Sequence, residues 1–263
     1  MVRDLGLRRH EGVRAPVRFG LAALVVLAWF DLLRRAGVGS PISMGREMAM
    51  PPAAPWGIAD FAMTSAIWAV MMAAMMFPSA APMLLLFSTV NRKRNAQGTP
   101  VIPTGIFLLG YLLTWAGFSL LATGAQWRLN RLVLLTPELT IVSPIVSGII
   151  LIAAGTYQFT PLKNVCLRQC QSPLEFLFTH WRDGRRGALV MGLNHGGYCL
   201  GCCWVLMALL FVGGVMNLTW IALIAAFVLV ERLIARGILV SRLAGGVLIV
   251  WGLFLATLGI RPI

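Results

Sequence analysis

Seven apolar segments cover most of this chain, and they constrain its fold more than any other feature of the sequence. They are residues 17–33, 58–88, 104–124, 141–160, 187–211, 218–233 and 243–260. Each is close to or above the ~20 residues that an α-helix needs to cross the hydrocarbon core of a bilayer. Because 59% of the residues are hydrophobic and 12% are charged, an ordinary soluble globule is excluded. We therefore predict an all-α, polytopic membrane protein with about seven transmembrane helices in a single domain over residues 1–263.

Lysine and arginine orient this predicted bundle. Most of the 22 lie in the N-terminal segment and in the loops after the second, fourth and sixth apolar segments. By the positive-inside rule these parts face the cytoplasm, which gives a cytoplasmic N-terminus. The net charge of +13 is then explained by topology and by contact with anionic lipids. No basic stripe is interleaved with aromatic residues, so we expect no nucleic-acid partner.

The fifth apolar segment carries the most distinctive group of chemically active residues. They are His195, Cys199, Cys202 and Cys203. Their spacing of i, i+4, i+7 and i+8 places all four on one face of a helix. Imidazole and thiols suit Cu(I), and also zinc or an iron–sulfur centre. Zinc is the weaker choice, because the spacing differs from that of zinc fingers and ribbons. A helix rises about 12 Å from the first to the last of the four, so we expect two or three to act together and Met71 or Met75 to complete the site.

The second segment supplies thioethers in two overlapping pairs, each spaced by one helical turn. They are Met71, Met72, Met75 and Met76. Asp60 shares a helical face with Met71 and Met75, and a carboxylate near the membrane boundary is a functional-site hypothesis because it is costly to bury. Pro78 removes the hydrogen bond that the Ala74 carbonyl would otherwise accept, which predicts a kink beside the methionines. The alternative is that these methionines only fill gaps in an apolar core.

Cys166 and Cys170, one helical turn apart, form a third group at the predicted cytoplasmic end of the fourth segment. In a reducing compartment they are expected to be free thiols. They could hold one soft ion, act as a redox pair or be incidental interfacial cysteines. On the opposite side, an entry path is predicted from acidic and thioether residues, namely Met44, Met48, Met50, Asp60 and Met63.

Other polar residues and glycines in the segments have simpler interpretations. Glu231 and Arg232 lie near the inner end of the sixth segment, where snorkelling or an ion pair suffices. Gly196 and Gly197 could form a notch for helix packing, or could let a neighbouring helix bring ligands towards His195. No nucleophile elbow, P-loop or dinucleotide fingerprint is present, so we expect no enzymatic activity.

Three motifs carry a family resemblance. They are WAVMMAAMMFPS (68–79), YQFTPLKNVCLRQCQSPL (157–174) and MGLNHGGYCLGCCW (191–204). Together they resemble a bacterial family of predicted metal-binding integral membrane proteins, first described as a domain of unknown function and linked to copper chaperones for copper enzymes. The resemblance covers roughly residues 56–236. It implies metal binding, most simply of copper, and a place in the bacterial inner membrane.

These observations predict a Cu(I) chaperone or transporter that passes copper across or along the bilayer. The predicted route runs from the outer methionines and Asp60 to a midplane site on the second and fifth segments, and then to Cys166 and Cys170. Its expected partners are the lipid bilayer and a copper-dependent enzyme or a soluble copper carrier. Two alternatives remain at this stage: a membrane thiol-redox protein that uses its cysteine pairs, and a structural membrane subunit whose cysteines only pack.

Overall fold

The computed structural model describes residues 26–27, 29–30, 56–95, 102–136, 139–234 and 236–260. Within these ranges the chain is helical, which confirms the all-α prediction, and the only strand-like pairing is an isolated bridge between Leu135 and Ile141. Nine helices of four residues or more follow one another in these ranges. They are α1 Ile58–Asn95, α2 Thr104–Arg131, α3 Pro144–Tyr157, α4 Pro161–Gln171, α5 Pro173–His180, α6 Gly184–Ala208, α7 Leu210–Gly213, α8 Leu218–Leu233 and α9 Gly237–Ile260.

Four stretches of the described chain are long and apolar enough to cross a membrane. They are Ile58–Arg94, Thr104–Arg131, Gly184–Gly213 and Gly237–Gly259, and the bent pair α3–α4 would make a fifth. Helix α8 has 16 residues, fewer than the ~20 of a full span. Of the predicted first segment, Val26, Leu27, Trp29 and Phe30 are helical, and the rest lies outside the described residues. The count of seven spans and the side of the N-terminus therefore stay predictions.

The chain turns by 64° between α3 and α4, at the end of the span that the sequence predicted over 141–160. Helix α3 has 14 residues. A new helix begins at Pro161 because Thr160 caps it, with the Thr160 side chain accepting a hydrogen bond from the Lys163 backbone NH at 3.3 Å. Helix α4 packs against α6, and Lys163 and Leu167 on it are fully buried. The segment predicted as a cytoplasmic loop therefore contributes a helix to the core.

Glycines bring α2 and α6 into backbone contact. A Cβ atom at Gly192 would overlap the Phe107 carbonyl oxygen, and one at Gly110 would overlap the Leu189 carbonyl oxygen. At Gly196 the added atom would lie 2.6 Å from the Thr114 hydroxyl, whereas at Gly197 it would meet nothing within 4 Å. Gly196 thus forms part of the predicted packing notch and Gly197 does not. This close approach brings the side chains of α2 against the cysteine-bearing face of α6.

The backbone carbonyl that Pro78 deprives of its helical hydrogen bond finds a partner elsewhere in the protein. The Ala74 carbonyl, which loses its helical partner to the proline, accepts a hydrogen bond from the Trp29 indole at 3.3 Å. At the far end of α1, Arg94 pairs with Asp183 at 2.8 Å and lies over the Trp181 ring. This contact joins two regions that the distribution of charge assigns to the same side of the membrane.

Candidate metal centre

The three cysteines of α6 converge in the core of the protein. Cys199, Cys202 and Cys203 are fully buried. The Cys202 and Cys203 thiols both donate to the Cys199 carbonyl, at 3.1 and 3.0 Å, because residues at i+3 and i+4 lie over the preceding turn. We call these residues the thiol cluster. The shared helical face that the spacing predicted is therefore present, and it points inwards.

Helix α4 adds a fourth sulfur to this cluster. Cys170 lies beside the Cys202 thiol and interacts with it. Cys166, one turn earlier, packs against α6 at Gly201, where an added Cβ would lie 2.7 Å from the Cys166 sulfur. The sequence placed both cysteines at a separate inner depth, and the bend at Thr160 instead folds them back onto α6. All five cysteines are free.

Helix α1 reaches the cluster through Met76. Its sulfur lies 4.0 Å from the Cys203 thiol. The other three predicted methionines, which are Met71, Met72 and Met75, are buried in the same apolar core. The sequence favoured Met71 or Met75 as the shared ligand, whereas the structure places Met76 nearest. The contacts of α1 with α2 determine which face of α1 points to the thiol cluster. One of these contacts is the hydrogen bond that the Trp68 indole donates to Gln126 at 2.8 Å.

An arginine side chain lies among the sulfurs. One terminal nitrogen of Arg232, Nη2, lies 3.0, 3.2 and 3.6 Å from the thiols of Cys199, Cys202 and Cys203. The other, Nη1, donates to the Ser79 hydroxyl on α1 at 2.6 Å. Arg232 is 6% exposed, so of the two interpretations that the sequence allowed, snorkelling does not apply to it. Glu231 does form the ion pair that the sequence allowed, with Lys163 at 2.8 Å, and both side chains are fully buried.

Tyr111 on α2 closes the cluster on another side. Its hydroxyl lies 3.1 Å from the Cys199 sulfur and 3.4 Å from the Met76 carbonyl oxygen. Tyr111 is held there by the close packing of α2 on α6 at Gly110 and Gly192. The cluster is therefore enclosed by five helices, α1, α2, α4, α6 and α8.

His195 does not touch the thiols in this arrangement. Its ring is surrounded by aromatic rings, with centroid distances of 6.0 Å to Phe107, 5.9 Å to Tyr111 and 5.3 Å to Phe176. It is buried, and among the described residues its Nδ1 atom has no hydrogen-bond partner. His195 thus occupies an aromatic pocket one helical turn from Cys199, and this pocket is distinct from the thiol cluster.

The predicted entry path is described only in part. The Asp60 carboxylate accepts a hydrogen bond from the Gly57 backbone NH at 2.8 Å, at the start of α1. Met63 has 42% of its surface exposed. Met44, Met48 and Met50 lie outside the described residues. The path from the outer surface to the thiol cluster therefore stays a prediction.

The donor atoms suit a soft ion, although they are not closed around one. Within the described ranges, no three His, Cys, Asp or Glu side chains are arranged to hold a metal ion. A zinc–sulfur bond is about 2.3 Å long, whereas the three thiols surround Arg232 Nη2 at 3.0 to 3.6 Å. Four thiols, three of them fully buried, and one thioether are the kind of donor set that Cu(I) prefers over that of hard cations. A metal would bind after the thiols turn away from the Cys199 carbonyl and the guanidinium.

Sequence reasoning missed Arg232, Tyr111 and Ser79. A signal existed for Arg232, because an ionisable residue within an apolar segment is by default a candidate for function. None existed for Tyr111 or Ser79, which resemble any other tyrosine or serine of a membrane helix. Their role depends on contacts with residues 88 and 153 positions away in the chain.

Long apolar helices around a buried group of soft donors define a helical protein of membrane type with a thiol-rich core. A family model described as a copper chaperone, PpoB2, matches residues 65–255. This chain therefore belongs to the PpoB2 copper chaperone family, as the resemblance of its three motifs predicted. No curated protein and no solved structure matches it.

Proposed function

We propose that this protein is a membrane-embedded Cu(I) chaperone. It holds the ion with the thiols of Cys199 and Cys202 and passes it to a copper-dependent enzyme or a soluble copper carrier. The cargo is Cu(I) because thiolate and thioether sulfurs are soft ligands, which favour soft ions over Mg²⁺ or Ca²⁺. The bilayer is the bacterial inner membrane, in which the apolar helices would be inserted.

The observation that carries this proposal is the convergence of sulfurs from three helices. The α6 cysteines and Met76 of α1 are fully buried, and the half-buried Cys170 of α4 joins them, an arrangement that the family match alone does not reveal. Cys170 and Met76 flank the α6 thiols on different sides, so either could replace a thiol in the shell of a bound ion. Exchange of one sulfur for another is how a soft ion moves between neighbouring sites and on to a recipient.

Copper measurement on purified protein tests the proposal directly. Wild-type protein reconstituted with Cu(I) in detergent should retain copper in stoichiometric amount, measured by elemental mass spectrometry against protein concentration. The Cys199→Ser/Cys202→Ser double variant should retain little, because a serine hydroxyl is a hard donor that Cu(I) binds weakly. Cys166→Ser is the matched variant and should bind like wild type, because the Cys166 sulfur packs against Gly201. Substoichiometric copper in wild type, unchanged in the double variant, would refute the proposal.

We expect Met76 to increase the affinity for Cu(I) without being essential for Cu(I) binding. Met76→Leu keeps the volume but removes the thioether 4.0 Å from Cys203. We expect the Cu(I) dissociation constant, measured by competition with a chromogenic Cu(I) chelator, to rise by about tenfold, the equivalent of ~1.4 kcal/mol. Met83→Leu is the control, since Met83 is an equally buried methionine of α1 that packs in a different apolar cluster. If Met76→Leu and Met83→Leu bound Cu(I) with equal affinity, Met76 would not be a ligand of the ion.

A further inference from the structure

The side chain at the centre of the thiol cluster, Arg232, carries a positive charge and has no carboxylate partner in the part of the chain that the structure describes. Among the described residues the ion pairs are Arg94–Asp183 and Lys163–Glu231, so Glu231, which precedes Arg232 in the chain, already has its own partner. An unpaired buried charge is costly, and a chain keeps one where something compensates it. Around Arg232 the acceptors are thiol sulfurs, one hydroxyl and one carbonyl.

Two of these contacts do not involve sulfur and would remain if the thiols turned to a metal. Arg232 Nη1 donates to Ser79 Oγ at 2.6 Å, and Nη2 donates to the Cys199 carbonyl at 3.2 Å. They connect α8 to α1 and to α6. The guanidinium is therefore anchored next to the site whether or not its sulfur contacts persist.

The net charge of the metal–thiolate complex indicates which ion this arrangement favours. When Cu(I) binds two thiols, two Cu–S bonds form, two thiol protons leave to water and the complex carries a charge of −1. Such an anion is unfavourable in a dry pocket unless a fixed cation lies beside it. Cys199 and Cys202 supply the two sulfurs nearest to Arg232 Nη2. With Arg232 the group of two thiolates, Cu(I) and guanidinium is neutral.

We propose that Arg232 is the built-in counter-cation of the copper site, and that it determines specificity for a monovalent soft ion. This inference rests on the proposed function and adds to it. A divalent ion on the same two thiolates is already neutral, so the guanidinium beside it leaves a net charge of +1. Arg232 therefore favours Cu(I) and disfavours Zn(II) at one and the same site.

The test compares the affinities of both ions in variants of Arg232. Cu(I) and Zn(II) dissociation constants are measured by chelator competition on purified full-length protein in detergent. Arg232→Met, which keeps most of the volume and loses the charge, should bind Cu(I) about 100-fold more weakly and Zn(II) more tightly. Arg232→Lys keeps the charge and should keep most of the preference for Cu(I). Arg168→Met is the control: it removes the same charge from an exposed position on α4, where solvent screens it.

In Arg232→Met the dissociation constants of Cu(I) and Zn(II) should change in opposite directions, which distinguishes this inference from a purely structural role of Arg232. If Arg232 only stabilised the fold, Arg232→Met would weaken both ions together, and the ratio of their affinities would not change. An unchanged ratio in Arg232→Met, with wild type binding Cu(I), would overturn the inference and leave the proposed function intact. Wild-type protein that binds no Cu(I) would overturn the proposed function itself. If Arg232→Met does not accumulate as folded protein, the ratio of Cu(I) to Zn(II) affinity is compared between Arg232→Lys and Arg232→Gln. An equal ratio in these two variants would overturn the inference.

Discussion

Replacing Lys163 by methionine is expected to destabilise the protein by about 3–5 kcal/mol, because it leaves Glu231 buried without its partner. Both side chains of this pair are fully buried and their charged atoms lie 2.8 Å apart. The pair ties α4 to α8, and those helices bring Cys170 and Arg232 to the thiol cluster. We expect a large fall in the apparent melting temperature in detergent, together with weaker Cu(I) binding.

A second variant shows whether the lost stability comes from the unpaired charge. Lys163→Met combined with Glu231→Leu removes both charges and should recover most of the stability, since an apolar pair of similar volume often replaces a buried ion pair at little cost. Asp183→Asn is the control for an exposed pair. It should cost about 1 kcal/mol or less, because the Arg94–Asp183 contact is open to solvent. If Lys163→Met melts like Asp183→Asn, the buried pair does not stabilise the fold.

Gly192→Ala is the second substitution for which we expect a large effect. A single methyl group at this position would overlap the Phe107 carbonyl oxygen, which belongs to the backbone and cannot rotate away. Helices α2 and α6 would have to separate, at a cost of about 1–3 kcal/mol or more. Since Tyr111 on α2 contacts the Cys199 sulfur at 3.1 Å, the separation should also weaken copper binding.

Gly197→Ala provides the matched comparison on the same helix. An added Cβ at Gly197 meets nothing within 4 Å, and alanine is the better helix former by about 0.5–1 kcal/mol. We expect its melting temperature to equal or exceed that of the wild type. If Gly192→Ala and Gly197→Ala lost similar stability, the cause would be the substitution of glycine within α6 and not the contact of α6 with α2.

The sequence could predict the helices and the face of α6, because both follow from local periodicity. Residues spaced by four, seven and eight positions share a helical face wherever the helix lies. The missing helical hydrogen bond at the Ala74 carbonyl was likewise predictable, since it follows from the covalent structure of Pro78. In each case the interacting positions are close together in the chain.

What the sequence could not predict depends on how distant helices pack. The bend after Tyr157 turns α4, and with it Cys170, towards Cys202, whereas the sequence placed Cys166 and Cys170 at the cytoplasmic end of the fourth segment. Arg232 near the end of an apolar segment is compatible with snorkelling and with burial, and only the positions of Ser79 and the α6 thiols decide between them. The choice of Met76 over Met75 depends on a rotation of α1 that its contacts with α2 set.

The burial of the cysteines has a consequence for measuring motions of the folded protein. The three α6 thiols are inaccessible to water and the Cys166 thiol nearly so, while Cys170 is half-buried. A water-soluble alkylating reagent can react with the α6 thiols only while α4 or α8 is detached from them, so the labelling rate reports the free energy of that local opening. Mass spectrometry of the labelled peptides would then rank the helices by how readily each one leaves the bundle.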